Sequence, residues 1–162
     1  MIRRLKSPEL DFRVTLWVHP FASPFSAAAW LKGDDGSSLW LRGFPWPSGW
    51  PAFVTWWEGV GAVLDVTSPA AVRWMLDKMA GLRSRYGVDS FKFDAGESNL
   101  MPRWRLPSQA LDNPNEYTRR FVDIAYRSVT SSILLLLCFI LFYLFIYEFS
   151  TDITYMHKIH TQ

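Results

Sequence analysis

Cysteine is almost missing from this chain: Cys138 stands alone, so no disulfide can close within it. Histidine is scarce as well. His19, His157 and His160 are joined by no cysteine or acidic cluster at ligand spacing, which argues against a metal site. A dominant charge of either sign is absent too. Seventeen Lys and Arg against fifteen Asp and Glu leave +2 over 162 residues. The basic residues fall in separate groups (Arg3, Arg4 and Lys6; Arg83 and Arg85; Arg119 and Arg120), so nucleic acid is not an expected partner. Residues 1–30 offer no signal-peptide core, because Ile2 to Leu10 is charged.

Tryptophan, by contrast, is abundant, with nine in the chain. Such a surplus suits a sugar-binding cleft, a membrane interface or an aromatic core. Three stretches read as strands. "RVTLWV" (13–18) alternates and is rich in β-branched and aromatic residues, "AVLDV" (62–66) is a short apolar run, and Phe91 to Phe93 follows "YGVDS". Short apolar runs of this kind suit a parallel sheet buried on both faces. Between the second and third lies a helix. Ser68 is its expected N-cap, Pro69 fits the first position and Gly87 fits the C′ site. Val72, Met75, Leu76, Met79, Leu82 and Tyr86 recur on one face. The unit reads strand, helix, strand, the building block of a parallel α/β sheet. Residues 33–59, crowded with Gly, Pro, Ser and Trp, are expected to form a long loop or a short β excursion. A further helix is expected from about Asn115 to Tyr126, with Pro114 at its start. From Ser128 to Tyr147 no charge occurs, and as a helix this run would span roughly 30 Å, a bilayer core.

"SFKFDAGE" (90–97) carries the chemistry. An Asp at the C-terminal end of a parallel strand is a favoured catalytic position, although Asp-Ala-Gly is also turn-like. In order along the chain, "RVTLWVHPF", "WWEGVGAVLD" and "SPAAVRWMLDKMAGLRSRYGVDSFKFDAGE" resemble glycoside hydrolase family 31, and within it the myogenesis-regulating glycosidase branch. The resemblance covers about Asp11 to Tyr126. Many members have Asn just before the Glu of the last motif, where this chain, like that branch, has Gly96. The resemblance implies a fragment of a (β/α)8 barrel with about three of its strands. It would be followed by a hydrophobic, helical tail: a partial barrel domain at 1–127, a transmembrane segment at 128–147 and a polar tail at 148–162. It implies an α-linked sugar as substrate, no cofactor, and Asp94 as the nucleophile of a retaining α-glycosidase at the end of the fourth barrel strand. Lys92, two residues earlier on the same side of the strand, would contact sugar hydroxyls, and Trp57 would wall the subsite of the reacting sugar. The alternatives to these roles are that Lys92 is a surface residue and Trp57 core. Asp65 could hold loops or touch substrate, and Glu97 could orient Asp94 or begin the next turn.

Retaining hydrolysis needs two carboxyl groups about 5–5.5 Å apart. The acid/base that the resemblance implies lies well downstream of the nucleophile. Asp112, Glu116 and Asp123 are the downstream acids before the apolar run, and none stands in that context. The chain is therefore expected to be an inactive fragment of an α-glycosidase, possessing one of two required carboxylates. A second reading is a membrane-tethered pseudoenzyme or sugar-binding module. Against it, Arg119, Arg120 and Arg127 precede the apolar run and Lys158 follows it, which would leave 1–127 in the cytosol. The resemblance implies a luminal or extracellular setting instead. A third reading is a soluble interaction protein whose tryptophans are core.

Overall fold

The computed structural model describes residues 1–43 and 49–129. Met1–Arg127 forms one compact unit and Ser128–Gln162 another. The expected transmembrane run at 128–147 and the tail at 148–162 lie, from residue 130 onward, outside the described residues. Among those described, no helix is long and apolar enough to cross a membrane.

The elements of the first unit are α1 (Ile2–Leu5), β1 (Thr15–Val18), β2 (Phe21–Ala22), β3 (Arg42–Gly43), β4 (Phe53–Trp56), β5 (Gly59–Val63), α2 (Pro69–Tyr86), β6 (Ser90–Phe93) and β7 (Arg105–Leu106). Helical residues 116–127, here α3, complete it. Among the described residues the fold is mixed α/β with three small sheets. β1 and β6 pair in parallel, with Trp17 opposite Lys92 and Val18 opposite Phe93. β2, β5 and β4 make an antiparallel sheet, and β3 pairs antiparallel with β7.

Local chemistry sets the ends of α2. Ser68 Oγ accepts from the Ala71 N–H, Pro69 opens the helix, and Gly87 adopts φ +70° while its N–H returns to the Arg83 carbonyl at 2.8 Å. Only glycine takes that left-handed turn without a Cβ penalty. Ala71, Met75 and Met79 are buried beneath the helix. Tyr86, expected on this apolar face, is exposed beneath the Arg3 guanidinium.

The second expected strand is corrected by the structure. It lies at Gly59–Val63 rather than 62–66, and it belongs to the antiparallel sheet. The reason is its two neighbours: Trp57 and Glu58 form a tight turn after β4, so β5 folds straight back on β4. The parallel partner of β6 is therefore β1, and two parallel strands, not three, occur among the described residues. The excursion between them is shaped by the hairpin and by Leu39–Leu41, whose backbone bonds to β5 and to Asp65.

Burial alternates along the parallel pair. Thr15, Trp17, Ser90 and Lys92 are exposed, while Leu16, Val18, Phe91 and Phe93 are half-buried. Arg83 of α2 caps the Phe91 ring at 5.1 Å, and Phe121 of α3 meets Phe93 edge-on at 5.5 Å. Both helices thus cover one face and leave the other open. Asp89 pins the start of the pair by accepting from the Val14 N–H at 2.6 Å and from Lys6 at 2.9 Å.

Candidate functional site

Strand parity puts Trp17 and Lys92 on the open face, next to each other across the parallel ladder. One residue past β6, the Asp94 N–H extends the ladder to the Val18 carbonyl at 2.9 Å, placing its carboxylate at the strand's C-terminal end. Three donors fix that carboxylate. Lys92 Nζ and Trp17 Nε1 each donate to Oδ2 at 2.9 Å, and the Ala95 N–H donates to Oδ1 at 3.1 Å. The Lys92 hydrogen bond, then that of Trp17, holds the Asp94 carboxyl below the usual carboxylate range. Lys92 is 68% exposed and Asp94 32%, so this ion pair adds little stability; its effect is on orientation and charge.

Directly afterwards, Ala95 takes φ +59°, a conformation costing a non-glycine residue roughly 1–2 kcal/mol. The chain turns inward there, and Ala95 and Gly96 are buried. Thr118 of α3 clasps the turn by donating to the Gly96 carbonyl at 3.0 Å.

Aromatic rings continue from Trp17. It stacks on Trp56 at 6.0 Å, Trp56 stacks on Phe21 at 4.3 Å, and His19 wedges against Trp17 at 4.7 Å and Trp56 at 4.8 Å. His19 Nδ1 accepts from the Phe21 N–H at 3.3 Å. Burial first, and Lys78 second, push its imidazole below the ordinary histidine value, with Glu58 opposing. A neutral ring, tautomerically fixed by that bond, follows near neutrality.

Asp94 and Lys92 come together, then, while the other expected residues do not join them. Trp57 sits on the hairpin turn, 58% exposed, and meets the cluster through Trp56 at 5.3 Å. Asp65 is buried: Oδ1 accepts from the Thr67 N–H and hydroxyl, and Oδ2 from the Ser108 N–H at 2.7 Å. These bonds tie two loops. Glu97 is exposed and begins the 3-10 turn Ser98–Leu100, with its carbonyl accepting from Leu100. Sequence reasoning missed Trp17 and Trp56. The signal for Trp17 was its parity with Lys92 on partnered strands; nothing local distinguished Trp56 from Trp57. Among the described residues, no group of three or more His, Cys, Asp or Glu is arranged to hold a metal. Two of the downstream acids, Glu116 and Asp123, have side-chain partners of their own. Glu116 accepts from the Asp112 N–H and pairs with Arg120 at 2.8 Å, while Asp123 faces Arg127 at 3.9 Å. An ionised carboxylate beside aromatic faces can attack, or stabilise, an electron-poor carbon.

Comparison with known proteins adds an independent line. The chain is 43% identical over 126 residues to the myogenesis-regulating glycosidase of Mus musculus, covering 77% of this chain and 17% of that protein. It is 29% identical over 134 residues to the alpha-xylosidase XylQ of Lactiplantibacillus pentosus, covering 76% of this chain and 16% of that one. The chain thus spans about a sixth of the length of these curated relatives. No protein-family model matches it. Among solved structures, the cycloalternan-degrading enzyme of Trueperella pyogenes in complex with a covalent intermediate aligns with a TM-score of 0.50 at 22% identity, over 78% of this chain and 18% of that one. That likeness is one of fold. The two sequence matches bear out the glycosidase resemblance carried by the motifs, including its myogenesis-regulating branch.

Proposed function

We propose, from the likeness to glycosidases, that the chain carries the nucleophile half of a retaining α-glycosidase site built on part of a (β/α)8 barrel. One observation carries this reading: the Asp94 carboxylate, at the end of a parallel strand, is oriented by Lys92, Trp17 and the Ala95 N–H. In the proposed step an Asp94 oxygen forms a bond to the anomeric carbon of an α-linked sugar as the bond to the leaving group breaks. Trp17 and Trp56 offer flat faces to the electron-poor ring, and Lys92 lies where a hydroxyl could accept from it. Trp57, on the adjacent turn, would border the entrance.

A sugar leaving group must be protonated as it departs, and that needs a second carboxyl. Of the downstream acids, Glu116 pairs with Arg120 and Asp123 stands on α3 facing Arg127, while Asp112 engages Glu116 through its backbone N–H alone. None of the three stands in the acid/base context that the resemblance implies, so by itself the chain is expected to hydrolyse no ordinary glycoside. A leaving group that departs unprotonated removes that requirement. Incubation with 5-fluoro-α-D-galactosyl fluoride is expected to give a glycosyl ester on Asp94, seen by intact and peptide mass, with fluoride released. Asp94→Asn should give none. Absence of the adduct on the unmodified chain defeats the nucleophile assignment.

The apolar run at 128–147 favours a second reading, a membrane-tethered sugar-binding module without turnover. It predicts reversible sugar binding, no adduct, and a membrane fraction that is lost when residues 128–147 are removed. A luminal position for 1–127 would place Asp94 with the setting that the resemblance implies, and glycosylation-site mapping distinguishes it from a cytosolic one.

A further inference from the structure

A second aromatic site lies on the other face of the β2–β5–β4 sheet. Phe53 and Trp56 are three residues apart on β4 and so point to opposite sides. Trp56 stacks on Phe21 toward Trp17, whereas Phe53 meets Trp30 at 6.0 Å. Trp30 in turn meets Trp50 edge-on, at 5.5 Å and 88°. The two rings form the corner of a recess of about 250 Å³, walled also by Lys32, Ser38, Trp40 and Pro51.

Most polar groups of this recess are already committed. Trp30 Nε1 donates to the Pro24 carbonyl at 3.0 Å, Trp40 Nε1 to the Ala28 carbonyl at 3.0 Å, and the Ser38 hydroxyl to the Trp40 carbonyl at 2.7 Å. The Ser26-capped turn Ala27–Trp30 holds the Trp30 ring in place. Two donors remain. Trp50 Nε1 and Lys32 Nζ have no partner among the described residues, and both side chains are exposed. Two preset ring faces with outward donors fit a ligand having one apolar face and a rim of oxygen acceptors. A purely apolar ligand would strip water from both donors without replacing it. The recess is smaller than the roughly 300–1,000 Å³ of drug-sized sites, and so suits one ring.

We propose that the Trp30–Trp50 recess is a second carbohydrate site that holds one pyranose ring, separate from Asp94. It requires no catalysis by this chain, so it stands whether or not Asp94 is a nucleophile. The test is titration of the full-length chain with the methyl α-pyranosides of galactose, glucose and xylose, followed through the indole N–H resonances. At least one sugar is expected to shift the Trp30 and Trp50 signals saturably. Trp50→Ala should weaken that binding at least tenfold. Trp50→Phe, which keeps a ring but loses the donor, and Lys32→Met, at an exposed position, should each weaken it several-fold. Asp94→Asn should leave it unchanged. Either of two results overturns the proposal. One is no saturable shift at Trp30 or Trp50 with any of the three sugars. The other is binding abolished by Asp94→Asn but retained by Trp50→Ala.

Discussion

Gly96 and Phe121 occupy adjoining space with no room for another atom. A Cβ built on Gly96 would lie 2.1 Å from Phe121 Cδ1 and 2.8 Å from Cε1. Phe121 is itself buried and packs edge-on against Phe93, two residues before Gly96's neighbour Ala95. The turn after Asp94 is therefore seated against α3 through the absence of a side chain.

A double-mutant cycle tests this relationship. Gly96→Asn is expected to destabilise the chain by about 1–3 kcal/mol, the cost of overpacking a tight site. Phe121→Ala, which opens a cavity, should cost about 3–5 kcal/mol alone. Because the two changes compensate in volume, the double variant should be clearly less destabilised than their sum, by denaturant midpoint. Strict additivity would show that the clash is relieved by moving the turn.

Asp65 holds its loops by serving three donors, and its substitution should be a stability lesion. Asp65→Ala leaves the Thr67 N–H, the Thr67 hydroxyl and the Ser108 N–H without their acceptor in a buried place. A loss of about 3 kcal/mol is expected, since each buried unsatisfied group costs about 1–3 kcal/mol and some will find water. Asp65→Asn should cost less, because one amide oxygen still accepts. If sugar binding fell while the melting temperature held, Asp65 would instead be a substrate contact.

Tyr117 joins α3 to the core in a single bond. Its hydroxyl donates to the Leu64 carbonyl at 3.1 Å, and burial pushes the phenol's pKa upward, so it remains neutral throughout ordinary working pH. Tyr117→Phe keeps the ring and loses the bond, for an expected cost of about 1 kcal/mol. Thermal unfolding followed by near-ultraviolet circular dichroism reads it directly.

How much of this was legible in the sequence depends on the range of the interaction involved. The ends of α2 were readable because Ser68, Pro69 and Gly87 act on backbone groups within four residues of themselves. Lys92 and Asp94 were readable because two residues on one strand share a face. The pairing of β5 was not, since nothing in "AVLD" says whether its neighbour is parallel or antiparallel; the turn at Trp57 and Glu58 decides it. That turn also separates Trp56 from Trp57. Adjacent residues differ in face, and only the register, with Trp56 opposite Gly59, puts Trp56 against Phe21 and Trp17. Gly96 was noticed as a departure from the family pattern, but its cause, Phe121, lies 25 residues away.

His19 gives the chain a pH dependence of known sign. Its folded pKa is lowered, so the unfolded chain binds the proton more readily. Stability from this group is present above the unfolded value of about 6.5 and is lost as pH falls through that value toward the folded one. His19→Gln should flatten the corresponding segment of a stability profile between about pH 5 and 7. A slope that persists in the variant would assign it to other groups.

The Trp17–Asp94 bond makes a more specific prediction, because two donors share one oxygen. Lys92 is the larger cause of the lowered Asp94 pKa and Trp17 the next. Trp17→Phe keeps a flat ring against Trp56 and His19 but deletes the indole donor, so the Asp94 midpoint should rise. Lys92→Met should raise it further. For a carboxyl with a depressed folded pKa, the stabilisation is present above the unfolded value and disappears as pH falls through the folded one. Both variants should therefore lose acid stability at a higher pH than the unmodified chain. Carbon-13 NMR of the Asp94 carboxyl, titrated in the three proteins, gives the midpoints. A midpoint moved by Lys92→Met and untouched by Trp17→Phe would mean that the indole contributes a wall only, with lysine alone orienting the carboxylate.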